Sequence, residues 1–242
     1  MKVLIMAGGL GTRISEETQT KPKPMVLING KPLIWHLMNV FSLQGLRDFV
    51  ISSGYKSEVI EEWLSNQIIL DSQNNEMVIE VFNTGLNTQT GGRISEVLKL
   101  LPSQKIIATY GDGLGNIAVS KLLSFHNQHG RVASVTAVRP PARFGYMKID
   151  NNSVTHFGEK NQSDEGWING GFFVLNPEVV NYIDSVGEPF ETGALVRLAS
   201  ESQLMAYQHE GFWQPMDTLR ERNELEKLAL TDSPPWLAGI QN

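Results

Sequence analysis

The stretch Lys2-Val3-Leu4-Ile5-Met6-Ala7-Gly8-Gly9-Leu10-Gly11-Thr12-Arg13 decides the fold. Lys2 to Met6 reads as a buried strand that runs straight into a glycine-rich turn. Glycines at such a turn let the backbone approach a ligand and point its N–H groups inward as an anion-binding nest. Thr12 and Arg13 add a hydroxyl and a permanently charged fork for phosphate oxygens. A triphosphate suits that cradle. The spacing is neither a Walker A motif nor a dinucleotide fingerprint, because Arg13 and Ile14 stand where a third glycine would fall. Taken alone, the segment reads equally well as a tight turn. Lys21-Pro22-Lys23-Pro24-Met25 follows, and its prolines stiffen the chain so that Lys21 or Lys23 can reach back over the glycines from a nearly extended backbone. Ordinary surface lysines are the alternative.

Working outward, short β-branched runs alternate with segments of helical period, the pattern of a mostly parallel sheet with crossover helices. Strands are expected near 2–6, 49–52, 77–82, 106–109, 132–138 and 172–175. Ile34, Leu37, Met38 and Phe41 make one apolar helix face, and Ile94, Val97, Leu98 and Leu101 repeat its spacing. In the second half, 146–149, 154–157 and 204–208 read as further strands of the same sheet, and a helix is expected over 219–230. Ser233-Pro234-Pro235 then begins a loose tail. His126 and His129 share a helix face read as solvated, and Trp35 and Trp63 read as core. The fold class is α/β: a mixed, mostly parallel sheet flanked by helices. One domain spans 1–242, with a first lobe to about 140, a second to about 230 and a tail.

With 242 residues the chain can bury about three quarters of its unfolded surface without a staple. Cysteine is absent, which excludes disulfides, thiolate nucleophiles and cysteine-ligated zinc and suits a reducing, cytoplasmic setting. The first apolar stretch is too short for a signal-peptide core or a membrane span. A net charge of −6 disfavours nucleic acid and anionic membranes, so a polyphosphate must be held by locally focused cations and backbone amides.

The chain resembles the sugar-nucleotide pyrophosphorylases through its glycine loop and the Pro-Lys pair, and more narrowly their cytidylyl branch. The likeness runs through Ser15-Glu16-Glu17-Thr18, Gly30-Lys31-Pro32, Trp35-His36, Thr90-Gly91-Gly92-Arg93 and Thr109-Tyr110-Gly111-Asp112-Gly113. It continues through Arg143-Phe144-Gly145, 168–175 and Gly211-Phe212-Trp213-Gln214-Pro215-Met216-Asp217-Thr218-Leu219-Arg220. Departures from the family pattern are a shorter segment between Trp63 and Thr84, Asn161 for a proline, Tyr146-Met147 for smaller residues, and Gly193-Ala194 for Glu-Pro.

The resemblance implies a Rossmann-like fold, with the first lobe binding nucleotide and the second binding sugar. It also implies magnesium-assisted attack of a sugar 1-phosphate on the α-phosphorus of a nucleoside triphosphate, with CTP and glucose 1-phosphate as the pair and CDP-glucose as product. UTP or dTTP, another sugar phosphate, or a non-catalytic nucleotide sensor are the other readings. Lys23 is the expected cation at the α-phosphate, and Arg13 is expected on the outer phosphates. Asp112 and Asp217 are the expected magnesium ligands, although without the resemblance one is a plain turn residue and the other a helix cap. Nucleotide contacts are expected from Met6, Ala7, Gly8, Gly9, Leu10, Gly11 and Thr12, with Thr88 and Arg93 at the cytosine edge. The helix through Leu101 would be capped by Thr90. Sugar contacts fall to Gly145, Glu159, Lys160, Asn169 and Gly170, with Trp213 as a wall. The expected partners are these small molecules and further copies of the same chain.

Overall fold

The computed structural model describes residues 1–65, 67–140, 146–150, 153–158 and 166–240. In chain order its strands are β1 (Val3–Met6), β2 (Leu27–Ile28), β3 (Lys31–Pro32), β4 (Asp48–Ser53), β5 (Val78–Asn83), β6 (Ile106–Tyr110), β7 (Gly113–Gly115), β8 (Ala133–Val138), β9 (Tyr146–Asp150), β10 (Ser153–Gly158), β11 (Ile168–Leu175), β12 (Leu204–His209) and β13 (Trp213–Pro215). The helices are α1 (Ser15–Thr18), α2 (Leu33–Ser42), α3 (Ser57–Ser65), α4 (Thr90–Leu100), α5 (Val119–His129), α6 (Ala194–Ser200) and α7 (Leu219–Ala229).

Seven strands form one sheet in the order β12-β8-β11-β6-β1-β4-β5. Only β11 runs against its neighbours, β6 and β8, and the other pairs are parallel. The expected mixed, mostly parallel sheet is therefore present, and it runs unbroken from the first half of the chain into the second. β1 shows how the layers arise. Val3 and Ile5 point to one face, against Leu33, Leu37 and Phe41 of α2 and Leu225 of α7. Leu4 and Met6 point to the other, against Ile94, Val97 and Leu98 of α4 and Leu198 of α6. A strand covered on both faces needs apolar side chains at every position, which is why it reads as a continuous run. Each such side chain contributes roughly 1.5–3 kcal/mol by leaving water.

Three expectations change. β9 and β10 pair with each other as a separate antiparallel hairpin and do not extend the main sheet. The tail is not loose, at least to residue 240. Trp236 is fully buried beside His36 and Phe212, with ring centroids 5.7 and 6.1 Å away, so burial of one large ring outweighs the prolines before it. Nor do the helix histidines face solvent. The Arg131 amide donates to His129 Nδ1 (2.9 Å), His129 Nε2 lies 2.7 Å from Ser134 Oγ, and that hydroxyl lies 2.9 Å from His126 Nδ1. His126 Nε2 then meets Asn176 Oδ1 at 3.2 Å, and Asn176 Nδ2 returns to the Arg131 carbonyl at 2.9 Å. Each ring needs one donor and one acceptor nitrogen here, so both are neutral. Trp35 and Trp63 are half-buried against the core. Among the described residues no helix is long and apolar enough to cross a membrane.

Burial is the largest cause holding His36, His126, His129 and His209 below the ordinary imidazole pKa. Groups lowered in the folded state and normal in the unfolded one make the unfolded chain bind more protons as pH falls through about 6.5, so stability drops there. The urea midpoint at pH 5.5 should lie clearly below that at pH 7.5, the unfolding free energy falling by up to about 1.4 kcal/mol per pH unit for each histidine kept neutral. Equal midpoints would contradict neutral burial.

Candidate functional site

The glycine loop leaves the carboxyl end of β1 and is braced from behind. The Gly8 carbonyl accepts from Arg93 Nη2 (3.1 Å) and from the Tyr55 amide (3.3 Å), while Thr18 Oγ1 donates to the Gly11 carbonyl (3.1 Å). Gly8 is required by closeness, since a Cβ there would lie 2.1 Å from the Arg93 guanidinium carbon. Among the described residues the amides of Gly9, Leu10 and Gly11 have no protein acceptor, so they remain free for an anion.

Lys23 stands at the start of a short 3-10 turn, Lys23–Met25, and only Pro22 before it is extended. The lysine that reaches back is thus held by a turn, not by a straight stem. Its side chain is 8% exposed, and the ammonium lies 2.8 Å from Asp112 Oδ2 and 2.6 Å from Asp217 Oδ1. The other Asp217 oxygen accepts from Arg13 Nη1 at 2.7 Å, and the Arg13 side chain is 71% exposed. Backbone pairing makes this meeting possible. β7 pairs antiparallel with β13, placing Pro215 opposite Gly113, and the Met216 amide donates to the Asp112 carbonyl at 2.8 Å. Asp217 is not the cap of α7. Thr218 takes that position in a capping box with Glu221, which leaves the Asp217 carboxylate free to turn inward.

Two cavities meet at these residues. A cavity of about 240 Å³ is lined by Met6, Ala7, Gly9, Gly11, Thr12, Arg13, Lys23, Pro24, Thr90, Tyr110, Gly111 and Asp112. A second, of about 470 Å³, is lined by Arg13, Tyr110, Asp112, Pro140, Ile168, Asn169, Trp213, Pro215 and Asp217. Arg13, Tyr110 and Asp112 form the seam between them. Trp213 is fixed as a wall by its Nε1 donating to the Gly170 carbonyl at 2.8 Å. Leu10 is exposed at the loop tip, outside both linings. Gly145, Glu159 and Lys160 lie outside the described residues.

Arg93 and Thr88 stand differently from the expectation. The Arg93 guanidinium is buried and lines neither cavity, and Nη1 donates to the Ser53 carbonyl (2.7 Å) and Thr84 Oγ1 (2.5 Å). Nη2 donates to the carbonyls of Gly8 and Gly85, both at 3.1 Å. Burial lowers its pKa, and among the described residues no carboxylate pairs with it. Thr88 Oγ1 donates to the Thr84 carbonyl. Thr90 does not cap α4 either. Gln89 is the N-cap residue, and the Thr90 hydroxyl donates to Glu191 Oε2 at 2.7 Å. Sequence reasoning did not single out Tyr110, Thr90 or Glu191 as site residues. Tyr110 and Thr90 sit inside motifs already quoted, whereas no local pattern marks Glu191.

Two carboxylates converging on one positive centre, with oxygen donors only, fit a hard divalent cation that keeps most of its shell in water and phosphate.

With a glycine loop of free amides at the end of β1 and two convergent carboxylates beside it, the chain belongs to the nucleotidyl transferase family, whose model matches residues 2–219. It is similar to the glucose-1-phosphate cytidylyltransferase of Salmonella typhi, with 43% identity and 98% of each chain covered. The mannose-1-phosphate guanyltransferase of Saccharomyces cerevisiae is 30% identical, over 90% of this chain and 63% of the yeast protein. Among solved structures, HddC from Yersinia pseudotuberculosis superposes with a TM-score of 0.69 at 24% identity, over 93% of this chain and 98% of that one.

Replacing Arg93 by alanine takes a donor from four acceptors at once, each costing about 1–3 kcal/mol where it is left unpaired. Arg93→Ala should lose at least ~2 kcal/mol of stability in urea. A loss below ~0.5 kcal/mol would mean that the loop does not depend on it.

Proposed function

We propose that this chain joins CTP to glucose 1-phosphate, releasing pyrophosphate and forming CDP-glucose. The observation that carries this reading is Lys23 held between Asp112 and Asp217 at the seam of the two cavities. The 43% identity to a glucose-1-phosphate cytidylyltransferase over almost the whole chain supports the choice of substrates. A phosphate oxygen of the sugar 1-phosphate attacks the α-phosphorus, and the bond to the oxygen bridging the β-phosphorus breaks, so that pyrophosphate leaves in line. No covalent enzyme intermediate is needed.

Both reactants are anions, so the chain's task is to neutralise and align them. In this reading the free amides of Gly9 to Gly11 and the Thr12 hydroxyl cradle the triphosphate. Lys23 moves its ammonium from the carboxylates to the α-phosphate, and Arg13 swings from Asp217 to the departing pyrophosphate. Asp112 and Asp217 hold magnesium, which when bound supplies Lewis-acid neutralisation of the phosphate oxygens. Base choice rests on the backbone from Met6 to Gly8, with Arg93 acting through the Gly8 and Gly85 carbonyls it holds. Asn169 and Trp213 face the sugar.

Lys23→Ala should lower kcat about 100- to 1,000-fold while circular dichroism stays that of the folded chain. EDTA should abolish turnover, and Mg²⁺ should restore it. Near-normal turnover of the lysine variant, or activity surviving EDTA, would remove these roles.

Cytosine presents an amino group where uracil presents a carbonyl, so carbonyl acceptors that suit one face an unpaired oxygen in the other. In a matrix of nucleoside triphosphates against sugar 1-phosphates read by mass spectrometry, CTP should exceed UTP in kcat/KM by at least ~10-fold. Equal use of both would overturn the cytidylyl assignment and leave the reaction class standing.

A further inference from the structure

Glu191 lies outside the linings of both cavities, yet both are tied to it. Its Oε2 accepts from the Thr90 hydroxyl at 2.7 Å, and its Oε1 accepts from the Tyr110 phenol. Thr90 lines the nucleotide-side cavity, and Tyr110 lines both. The Tyr110 ring is held tightly. Phe173 meets it edge to face at 5.8 Å, and Gly171, at φ +78°, would place a Cβ 2.4 Å from Tyr110 Cδ2. The phenol also accepts from Asn169 Nδ2 at 3.3 Å, and Asn169 Oδ1 accepts from the Gly171 amide at 2.8 Å.

We propose that Glu191 is a positioning residue that fixes the hydrogen-bond polarity of the sugar-facing Asn169 through Tyr110. A carboxylate can only accept, so the phenolic hydrogen must point at Glu191. Tyr110 oxygen is then left as an acceptor, and only the NH₂ end of the Asn169 amide can face it. The Gly171 N–H demands the opposite end, the carbonyl oxygen, and so enforces the same orientation. Asn169 is exposed and lines the larger cavity, so its second amide hydrogen is left as a fixed donor for a hydroxyl or ring oxygen of the sugar. The inference rests on the proposed function for the identity of the ligand in that cavity.

Glu191→Gln is the discriminating variant. Its amide oxygen can still accept from Thr90, while its NH₂ turns to Tyr110 and forces the phenol to donate elsewhere, towards Asn169. KM for glucose 1-phosphate should rise about tenfold while KM for CTP changes less than about twofold. Tyr110→Phe should raise the same KM, and adding Glu191→Gln to it should have no further effect, because the relay is already cut. Damage to the fold would instead raise both KM values or add in the double variant, and either result overturns the proposal. The Asn169 side-chain amide cross-peak in a ¹H–¹⁵N spectrum, assigned by its loss in Asn169→Asp, needs no substrate. It should move in both Glu191→Gln and Tyr110→Phe. If it stays in place, the relay is wrong even where wild-type turnover is normal; if it moves while the wild type leaves glucose 1-phosphate untouched, the relay stands and the substrate reading falls.

Discussion

One ammonium group lies between two carboxylates that enter from opposite parts of the chain, and the site depends on that arrangement. Asp112 follows β6 and Asp217 precedes α7, so 2.8 and 2.6 Å contacts to Lys23 require β7 and β13 to pair in the observed register. A shift of one residue in that pairing would slide the two carboxylates past each other along the strand direction and part them from the shared ammonium. The capping box matters for the same reason, because a helix capped by Asp217 itself would spend the carboxylate on backbone amides. Two carboxylates this close repel each other unless a cation joins them, and in the structure Lys23 is that cation.

The three arginine and lysine side chains around the loop differ in freedom, and the difference suits separate tasks. Arg93 is buried and tied to four neutral acceptors, so it acts as fixed scaffolding for the loop. Lys23 is nearly buried but held only through its ammonium, which leaves the head group able to change partners. Arg13 is largely exposed, and its ion pair with Asp217 is of the weak, screened kind that a phosphate can displace. A chain of net charge −6 thus concentrates positive charge at one loop.

Much of this was legible from sequence because it is written in local patterns. The continuous apolar run of β1 and the periodic faces of α2 and α4 follow from which side of the sheet each residue meets. Lys23 and the glycine loop lie within one short stretch, so their meeting could be inferred from stiffness and proximity. The rest depends on contacts distant in sequence. Strand-forming composition cannot say whether β9 and β10 join the main sheet or pair with each other. Pro234 and Pro235 cannot lie inside a continued α-helix, but the short 3-10 turn Pro235–Leu237 seats Trp236 in a core position that only the folded chain offers. Arg93 looked like a ligand contact because its charge is visible in the sequence, while the carbonyls that occupy it come from the carboxyl ends of three strands, at Gly8 after β1, Ser53 of β4 and Gly85 after β5. His126 misled in the opposite way, since the Ser134 and Asn176 partners that make its burial tolerable lie on two other strands' ends.

Topology explains why the two cavities share Arg13, Tyr110 and Asp112. The chain builds β4 and β5 on one side of β1 and then returns to place β6 on the other, so the connections leaving β1 and β6 diverge at their carboxyl ends. Such a switch point opens a crevice that no crossover helix can cover. The glycine loop fills one flank of it. On the other flank β11 runs antiparallel to β6, which brings its first residues, Ile168 and Asn169, to the same end of the sheet as Tyr110. Had β11 been parallel, those residues would lie at the opposite end, and the second cavity could not form beside the glycine loop. An in-line displacement needs the attacking oxygen and the leaving group on opposite sides of the phosphorus. A crevice with a cradle on one flank, a second pocket on the other and exchangeable cations on the seam supplies that geometry from the strand order itself.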